Sequence, residues 1–419
     1  MTLRSLVQRL SSPKYRYVLV TILVSLLAFA RNLYFMTSLD LASLGQVTLM
    51  TTLIMLVGFA HVGLINGAYI QYAAGNRDVN RRIVALMATG VLILVPVAAL
   101  AVWALPLAGT LSSVVWPGTL AFGLAAGIVT LASTWMNNAL IADGHLGRSN
   151  LINVGAVLVS LVAAFFSTSN GLMAAWLSLL LQPLIIALGA MLLDPNLRIR
   201  SLGVDRQTLS LLFRLGLVPF LGGLAVLSMH QFERWSIAAI LGPNALGEFY
   251  IVLMYSAFFG LIPTALLNVY FPQAKRAYVA KDLCQLTTFI RHHQRDLMLY
   301  FVLAVATTVL LMPSILARYL PQFTQNAALV YFALPGLILL TFRNIASMVL
   351  FSTAEMRPLL SAGIGTLALF GLGLAGLWAA GLFSLVNVLI ARAVSTLPGT
   401  VYLLREQHRA LNSLGASHA

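Results

Sequence analysis

Charged side chains are scarce in this chain. Only 9% of its 419 residues are Asp, Glu, Lys or Arg, where a soluble domain carries about one quarter. A soluble fold of this size cannot cover its surface with so few charges, and 60% hydrophobic content excludes a disordered chain. Cysteine is nearly absent: Cys284 is the single one, so no disulfide forms within the chain and a secreted disulfide scaffold is excluded. Lysines number three, and none follows a glycine, which removes the Walker A loop and an ATPase with it. The histidines and acids lack metal-ligand spacing. Gly371-Leu-Gly-Leu-Ala-Gly376 fits G-x-G-x-x-G, but it lies in an apolar run with no strand before it and reads as close helix packing.

What is present is apolar sequence. It recurs from Tyr17 to Leu404 with short breaks, and the mean hydropathy is +0.92. The solvent for such a chain is a bilayer. A hydrocarbon core about 30 Å thick needs about 20 helical residues. That ruler predicts twelve spans: 16–38, 46–73, 83–107, 116–141, 150–167, 171–193, 212–241, 247–272, 297–314, 327–352, 358–378 and 382–404. Gly/Pro/Asn/Ser clusters at Ser167–Gly171, Asp194–Asn196 and Gly242–Asn244 mark turns between them. The N-terminal apolar run continues to about Met36 without a small-residue cleavage site, so it is expected to be an uncleaved first span.

The net charge of +14 raises the question of a nucleic-acid partner. With the N-terminus placed in the cytoplasm, 20 of the 25 Lys and Arg residues fall in cytoplasmic segments, Arg318 falls outside, and Arg31, Arg234, Arg343 and Arg392 fall within spans. This is the positive-inside distribution of a multi-pass protein with both termini cytoplasmic, and it leaves no basic face for nucleic acid. The basic segments 194–211 and 273–296 are expected to lie as amphipathic helices on the anionic inner leaflet, with membrane lipids as partners.

Two stretches about 200 residues apart share an order of landmarks. Arg31, Leu44-Gly45 and the basic loop Arg77, Arg81, Arg82 correspond to Arg234, Leu246-Gly247 and Lys275-Arg276. Gly147-Arg148 and Met356-Arg357 each open the fifth span of a half. Six spans per half make the repeats parallel, with a binding site expected between them near the midplane. The expected organisation is a six-helix bundle over 1–194, a cytoplasmic linker over 195–211 and a second bundle over 212–419. Pro219, Gly222, Gly223, Pro263, Pro335 and Gly336 supply candidate bends.

The segments Gly216-Leu-Val-Pro219, Glu233-Arg234-Trp-Ser-Ile-Ala-Ala-Ile-Leu-Gly242, Ala245-Leu-Gly247-Glu-Phe-Tyr250 and Tyr270-Phe-Pro272 resemble the second-half signature of polysaccharide flippases of the multidrug/oligosaccharidyl-lipid/polysaccharide exporter superfamily. The twelve-span plan, the repeat and the loop Ala142–Ser149 also fit that likeness. The resemblance implies an all-α protein of two V-shaped six-helix bundles around a central cationic cavity in the bacterial inner membrane. It implies export of an undecaprenyl-diphosphate-linked oligosaccharide, such as an O-antigen or exopolysaccharide unit, with a polymerase and a chain-length regulator as further partners. With three lysines in the chain, any lysine role seen in relatives passes to arginine or is missing.

An arginine at the bilayer centre costs about 2.5 to 3.5 kcal/mol on insertion scales, so four within spans need a reason. One reason is an anion-binding cavity, because the guanidinium fork matches phosphate. The other is snorkelling or structural pairing. His230, Glu233 and Arg234 share one helix face by their i, i+3, i+4 spacing. There Glu233 and His230 either couple transport to protons or sodium, or Glu233 serves as a counter-ion. Tyr250, Tyr255 and Tyr270 fit a sugar path or ordinary packing, and His61 fits a structural histidine. No organic cofactor is expected. Two alternatives remain beside the flippase: a multidrug cation antiporter, which needs carboxylates, and a membrane polymerase or ligase, which needs a large external loop.

Overall fold

The computed structural model describes residues 13–73, 77–104, 114–166, 171–280, 282–353 and 357–416. These residues are helical apart from turns and the irregular stretch 198–205, with no strand among them. The first helices are α1 (Pro13–Ser38), α2 (Leu41–Phe59), α3 (Leu64–Ala73), α4 (Arg77–Ala104), α5 (Pro117–Ala142), α6 (Leu146–Phe166) and α7 (Gly171–Leu193). They are followed by α8 (Arg206–Leu241), α9 (Pro243–Val279), α10 (Leu283–Tyr319), α11 (Ala327–Thr353), α12 (Arg357–Ala379) and α13 (Leu385–Ala416). Among the described residues, 11 stretches are long and apolar enough to cross a membrane. The remaining expected span, 212–241, lies in α8, whose 36 residues extend about 54 Å at about 1.5 Å per residue. The protein is an all-α polytopic membrane protein. Its helices carry apolar outer faces, as at Trp103 on α4 and Leu310 on α10, 71% and 73% exposed, which suit contact with lipid.

The chain forms two compact units, Met1–Leu221 and Gly222–Ala419, and the division falls inside α8. Sequence composition places the junction earlier, at 195–211. The physical reason for the difference is burial: Leu197 and Leu212 join Ile65, Trp135 and Met136 in the core of the first unit, so the linker and the first turns of α8 pack with that unit. After α7, the Asp194 carboxylate takes the N–H of Asn196 and starts the 3-10 turn Pro195–Leu197. The chain is then non-helical to Asp205, whose carboxylate accepts the N–H groups of Gln207 and Thr208 as α8 begins. No amphipathic helix occupies this segment.

The expected span 46–73 is broken. Its helix ends at Phe59, Val62 and Gly63 adopt φ of 42° and 87°, and the His61 ring Nδ1 accepts the Gly63 N–H at 2.9 Å. The short helix α3 then packs backbone to backbone on α8. A Cβ added at Gly67 would lie 2.1 Å from the Leu212 carbonyl oxygen, and one at Gly216 would lie 1.9 Å from that of Gly63. Apart from His61 the break is made from apolar residues and glycine, so hydropathy alone reads through it.

A second expectation also changes. Instead of a surface helix over 273–296, α9 continues to Val279 and α10 starts at Leu283, with Asp282 accepting the Gln285 N–H as the cap. The stretch stays in register because it buries a face: Ala274 and Ala277 on α9, Leu286, Ile290 and Leu297 on α10.

Within the first unit α5 is central and packs on α2, α3, α4 and α7, while α6 packs on α1 and α7. Gln46 braces α2: its amide donates to the Val114 carbonyl and accepts from Trp116 N–H and the Thr119 hydroxyl. Within the second unit α13 packs on α11 and α12, and α9 on α10 and α11. Phe259 and Phe301 stack with ring centres 6.0 Å apart, joining α9 to α10. Pro335 sits inside a continuous α11. The side chains of Pro219, Gly222 and Gly223, and the loop Ser167–Asn170, lie outside the described set.

Candidate functional site

Of the arginines expected to bind substrate, Arg31 is the one in the first unit. It is 5% exposed on α1. Its Nη1 donates to Ser160 Oγ on α6 at 2.5 Å and to Gln182 Oε1 on α7 at 2.8 Å. Ser160 in turn donates to the Ser178 carbonyl at 2.8 Å, and the guanidinium sits 6.0 Å from the Phe35 ring centre. Arg31 therefore ties three helices together through neutral acceptors and does not snorkel. Ser178 and Gln182 are spaced i, i+4 on an apolar helix, a polar stripe readable in the sequence as the partner face.

The second unit gathers the others. His230, Glu233 and Arg234 lie on α8, and Arg392 reaches them from α13. Arg392 Nη1 lies 3.4 and 3.3 Å from the two Glu233 oxygens, and these side chains are 4% and 1% exposed. One nitrogen faces both oxygens at distances longer than the about 2.7 to 2.9 Å of a tight charge-assisted bond, so the pair is loose and is not a fork-to-fork contact. The Arg392 Nε is buried with no hydrogen-bond partner among the described residues. His230 interacts with the same carboxylate, and Arg234 interacts electrostatically with Glu233, Arg392 and Tyr250. With His230 neutral, one carboxylate and two guanidiniums give this cluster a net charge of +1 (2 − 1). Arg343, on α11, makes a different contact: its Nη1 donates to Thr366 Oγ1 on α12 at 3.3 Å.

The tyrosines act mainly between helices. Tyr255 bonds Thr308 at 2.6 Å, and the Tyr270 hydroxyl donates to Asp296 at 2.5 Å. His61 stacks edge-on to Phe220 while holding the helix break, a structural role. Residues 371–376 are helical within α12, but close packing is not what the glycines serve: a Cβ at Gly371 or Gly376 would meet nothing within 4 Å, and one at Gly373 would meet only Ala391 at 3.6 Å.

Outside the spans, two carboxyls are shifted in opposite directions. The Thr208 hydroxyl, with the N–H groups of Gln207 and Thr208 and the charge of Arg82, holds Asp205 below the usual carboxylate range. Burial, with the nearby charge of Asp194, pushes Asp143 up. Among the described residues no group of His, Cys, Asp and Glu is arranged to hold a metal ion.

No family model and no curated protein matches the chain. Its fold is that of the MOP superfamily transporters. One solved structure, the inward-facing conformation of a multidrug resistance MATE family transporter, has a TM-score of 0.71 at 16% identity, over 94% of this chain and 96% of that one. The outward-facing conformation gives 0.59 at 16% identity, over 97% of each chain. A MOP superfamily transporter from Pyrococcus furiosus, in which a binding pocket of reverse polarity suggests a different function, gives 0.60 at 16% identity, over 97% of each chain.

Proposed function

We propose that this protein is a transporter and not an enzyme, and that it translocates an undecaprenyl-diphosphate-linked oligosaccharide across the bacterial inner membrane by alternating access. The observation that carries the reading is the sign of the buried charge. Among the described residues, the charged side chain buried within the spans of the first unit is an arginine, Arg31. In the second unit Arg343, Arg392 and the neighbouring Arg234 stand against Glu233 alone. One guanidinium in the first unit, and three against one carboxylate in the second, suit phosphate groups and repel a cationic drug. Arg31, Arg234, Arg343 and Arg392 are the proposed phosphate contacts, and Glu233 with His230 the proposed proton or sodium coupling pair. Both termini are cytoplasmic in this reading, and the polymerase and chain-length regulator of the pathway are its partners.

The multidrug reading is favoured by a different observation, the MATE neighbours, and the same experiment separates the two. A flippase-deficient strain receives the wild type, Arg31→Ala, Arg234→Ala, Arg392→Ala or the external control Arg318→Ala at low expression. Wild type and the control restore surface polysaccharide, whereas the three span-arginine variants are inserted but inactive. Resistance to cationic drugs without complementation by the wild type would overturn the flippase reading.

A further inference from the structure

The second unit holds a titratable cluster away from the four arginines. On α10, His293 lies on the buried stripe with Ile290 and Leu297, at 0% exposure. Both of its ring nitrogens are buried with no hydrogen-bond partner among the described residues. Its ring stacks on Tyr270 of α9, with centres 5.1 Å apart at 20°. The Tyr270 hydroxyl does not reach the imidazole. It donates to Asp296 Oδ2 at 2.5 Å, one helical turn beyond His293. Asp296 also meets its neighbour Arg295 at 3.2 Å and is 29% exposed.

Two orphaned nitrogens on a fully buried ring lose their hydrogen bonds to water without replacement, and native structures rarely leave such groups unexplained. A stacked ring at i and a carboxylate at i+3 on the same face are within reach of each other. We infer that His293, Asp296 and Tyr270 form a proton-binding site, separate from Glu233, that latches α9 to α10.

In the latched form His293 is neutral and Tyr270 donates to Asp296. When His293 takes one proton from water, arriving past the part-exposed Asp296, its N–H becomes a cationic donor whose nearest anion is Asp296. Asp296 stays ionised and Tyr270 keeps its phenolic proton. The carboxylate turns to the imidazolium, and the bond tying α9 to α10 is released. Of the described groups that interact electrostatically with these residues, α10 supplies Asp296, Arg295 and His292, and α9 supplies Tyr270. Arg295 and His292 are exposed, and Arg295 pairs with Asp296. As a coupling site this inference rests on the transport reading; as a latch it does not.

The test uses the full-length protein in lipid nanodiscs without substrate. Spin labels at Arg276→Cys and Arg291→Cys, both exposed, in a Cys284→Ala background report the separation of α9 and α10 between pH 8 and pH 5, where histidine changes charge. The background protein is expected to shift its distance distribution on acidification, and His293→Gln to lose that shift. Tyr270→Phe keeps the stacked ring but removes the latch, so it should show the acid distribution at both pH values. That second variant decides the matter if His293→Gln does not fold. An unshifted background, a shift that survives in His293→Gln, or a Tyr270→Phe protein that titrates like the background overturns the inference. Because no substrate is present, failure here is distinct from failure of complementation, which tests the flippase reading.

Discussion

Arg392 and Glu233 stand 159 residues apart in sequence and 3.3 Å apart in the second unit, both sealed from solvent. Removing one partner of such a pair strands a buried charge, at a cost of about 3 to 5 kcal/mol. Replacing both with apolar residues of similar volume removes the desolvation penalty along with the attraction. Thermal unfolding in detergent should therefore show Glu233→Gln and Arg392→Met each strongly destabilised and the double variant destabilised by clearly less than the sum of the two, with Arg234 still deprived of the Glu233 carboxylate. Additive losses in the double variant would mean the pair is not coupled. If Glu233 also couples transport, Glu233→Gln rescued in this way loses the pH dependence of translocation.

The contact between α3 and α8 rests on glycine. A methyl group at Gly216 would fall 1.9 Å from the Gly63 carbonyl oxygen, where backbone and not a flexible side chain must give way. Overpacking of this kind costs about 1 to 3 kcal/mol or more. Gly216→Ala and Gly67→Ala should lower the melting temperature and the yield of inserted protein. Gly58→Ala and Gly90→Ala, where a Cβ meets nothing within 4 Å, serve as controls and should be near neutral.

The spans were legible because composition and period dictate them: a run such as Gly171–Leu193 carries no charge and has one reading. The break at Ala60–Gly63 was not, since it replaces one apolar helix by two with a single polar residue, His61, at the turn. Its signal is the pair Gly63 and Gly67, and the glycine that faces them, Gly216, is distant in sequence. Likewise, basic, polar composition at 195–211 marks a loop but says nothing of which core Leu197 and Leu212 enter. At the candidate site, Glu233 and His230 were readable from helical spacing, while the choice of Arg392 as partner depends on tertiary contact. His293 was passed over because a single histidine in an apolar stripe reads as core until its nitrogens prove orphaned.

Acid should act on the two shifted carboxyls in opposite senses. Asp205 is held low by the Thr208 hydroxyl, the adjoining N–H groups and Arg82. A depressed folded-state value means stabilisation that is present above the unfolded value, about 3.9, and is lost as pH falls through the depressed one. Asp143 is raised by burial and by Asp194. Its contribution is fully present below the unfolded value and is lost as pH rises through the raised one. In melting curves from pH 3 to pH 7, Asp205→Asn should lower stability at neutral pH and flatten the acid limb, while Asp143→Asn should raise stability at neutral pH. Identical pH profiles for both variants and wild type would show that neither carboxyl is linked to folding.

Arg31 separates a structural arginine from a ligand-binding one. Its Nη1 bonds to Ser160 and Gln182 bind α1 to α6 and α7, so a purely structural role predicts that function follows stability. Ser160→Ala and Gln182→Leu, which remove acceptors and keep the charge, would then impair transport and melting temperature together, as would Arg31→Lys. Phosphate binding predicts a split. Loss of a charge-assisted contact of about 1.5 to 3 kcal/mol cuts affinity by roughly ten- to a hundred-fold, and lysine keeps the charge without the planar fork. Substrate binding, read by fluorescence quenching with a labelled undecaprenyl-diphosphate sugar, should therefore fall in the order wild type, Arg31→Lys, Arg31→Ala. Gln182→Leu should bind nearly as wild type at a temperature below its melting point, because the guanidinium remains and only its tether is shortened by one bond. If Gln182→Leu loses binding as fully as Arg31→Ala while Arg31→Lys tracks its own stability loss, Arg31 is a tie between helices and the phosphate contact must be sought at the arginines of the second unit.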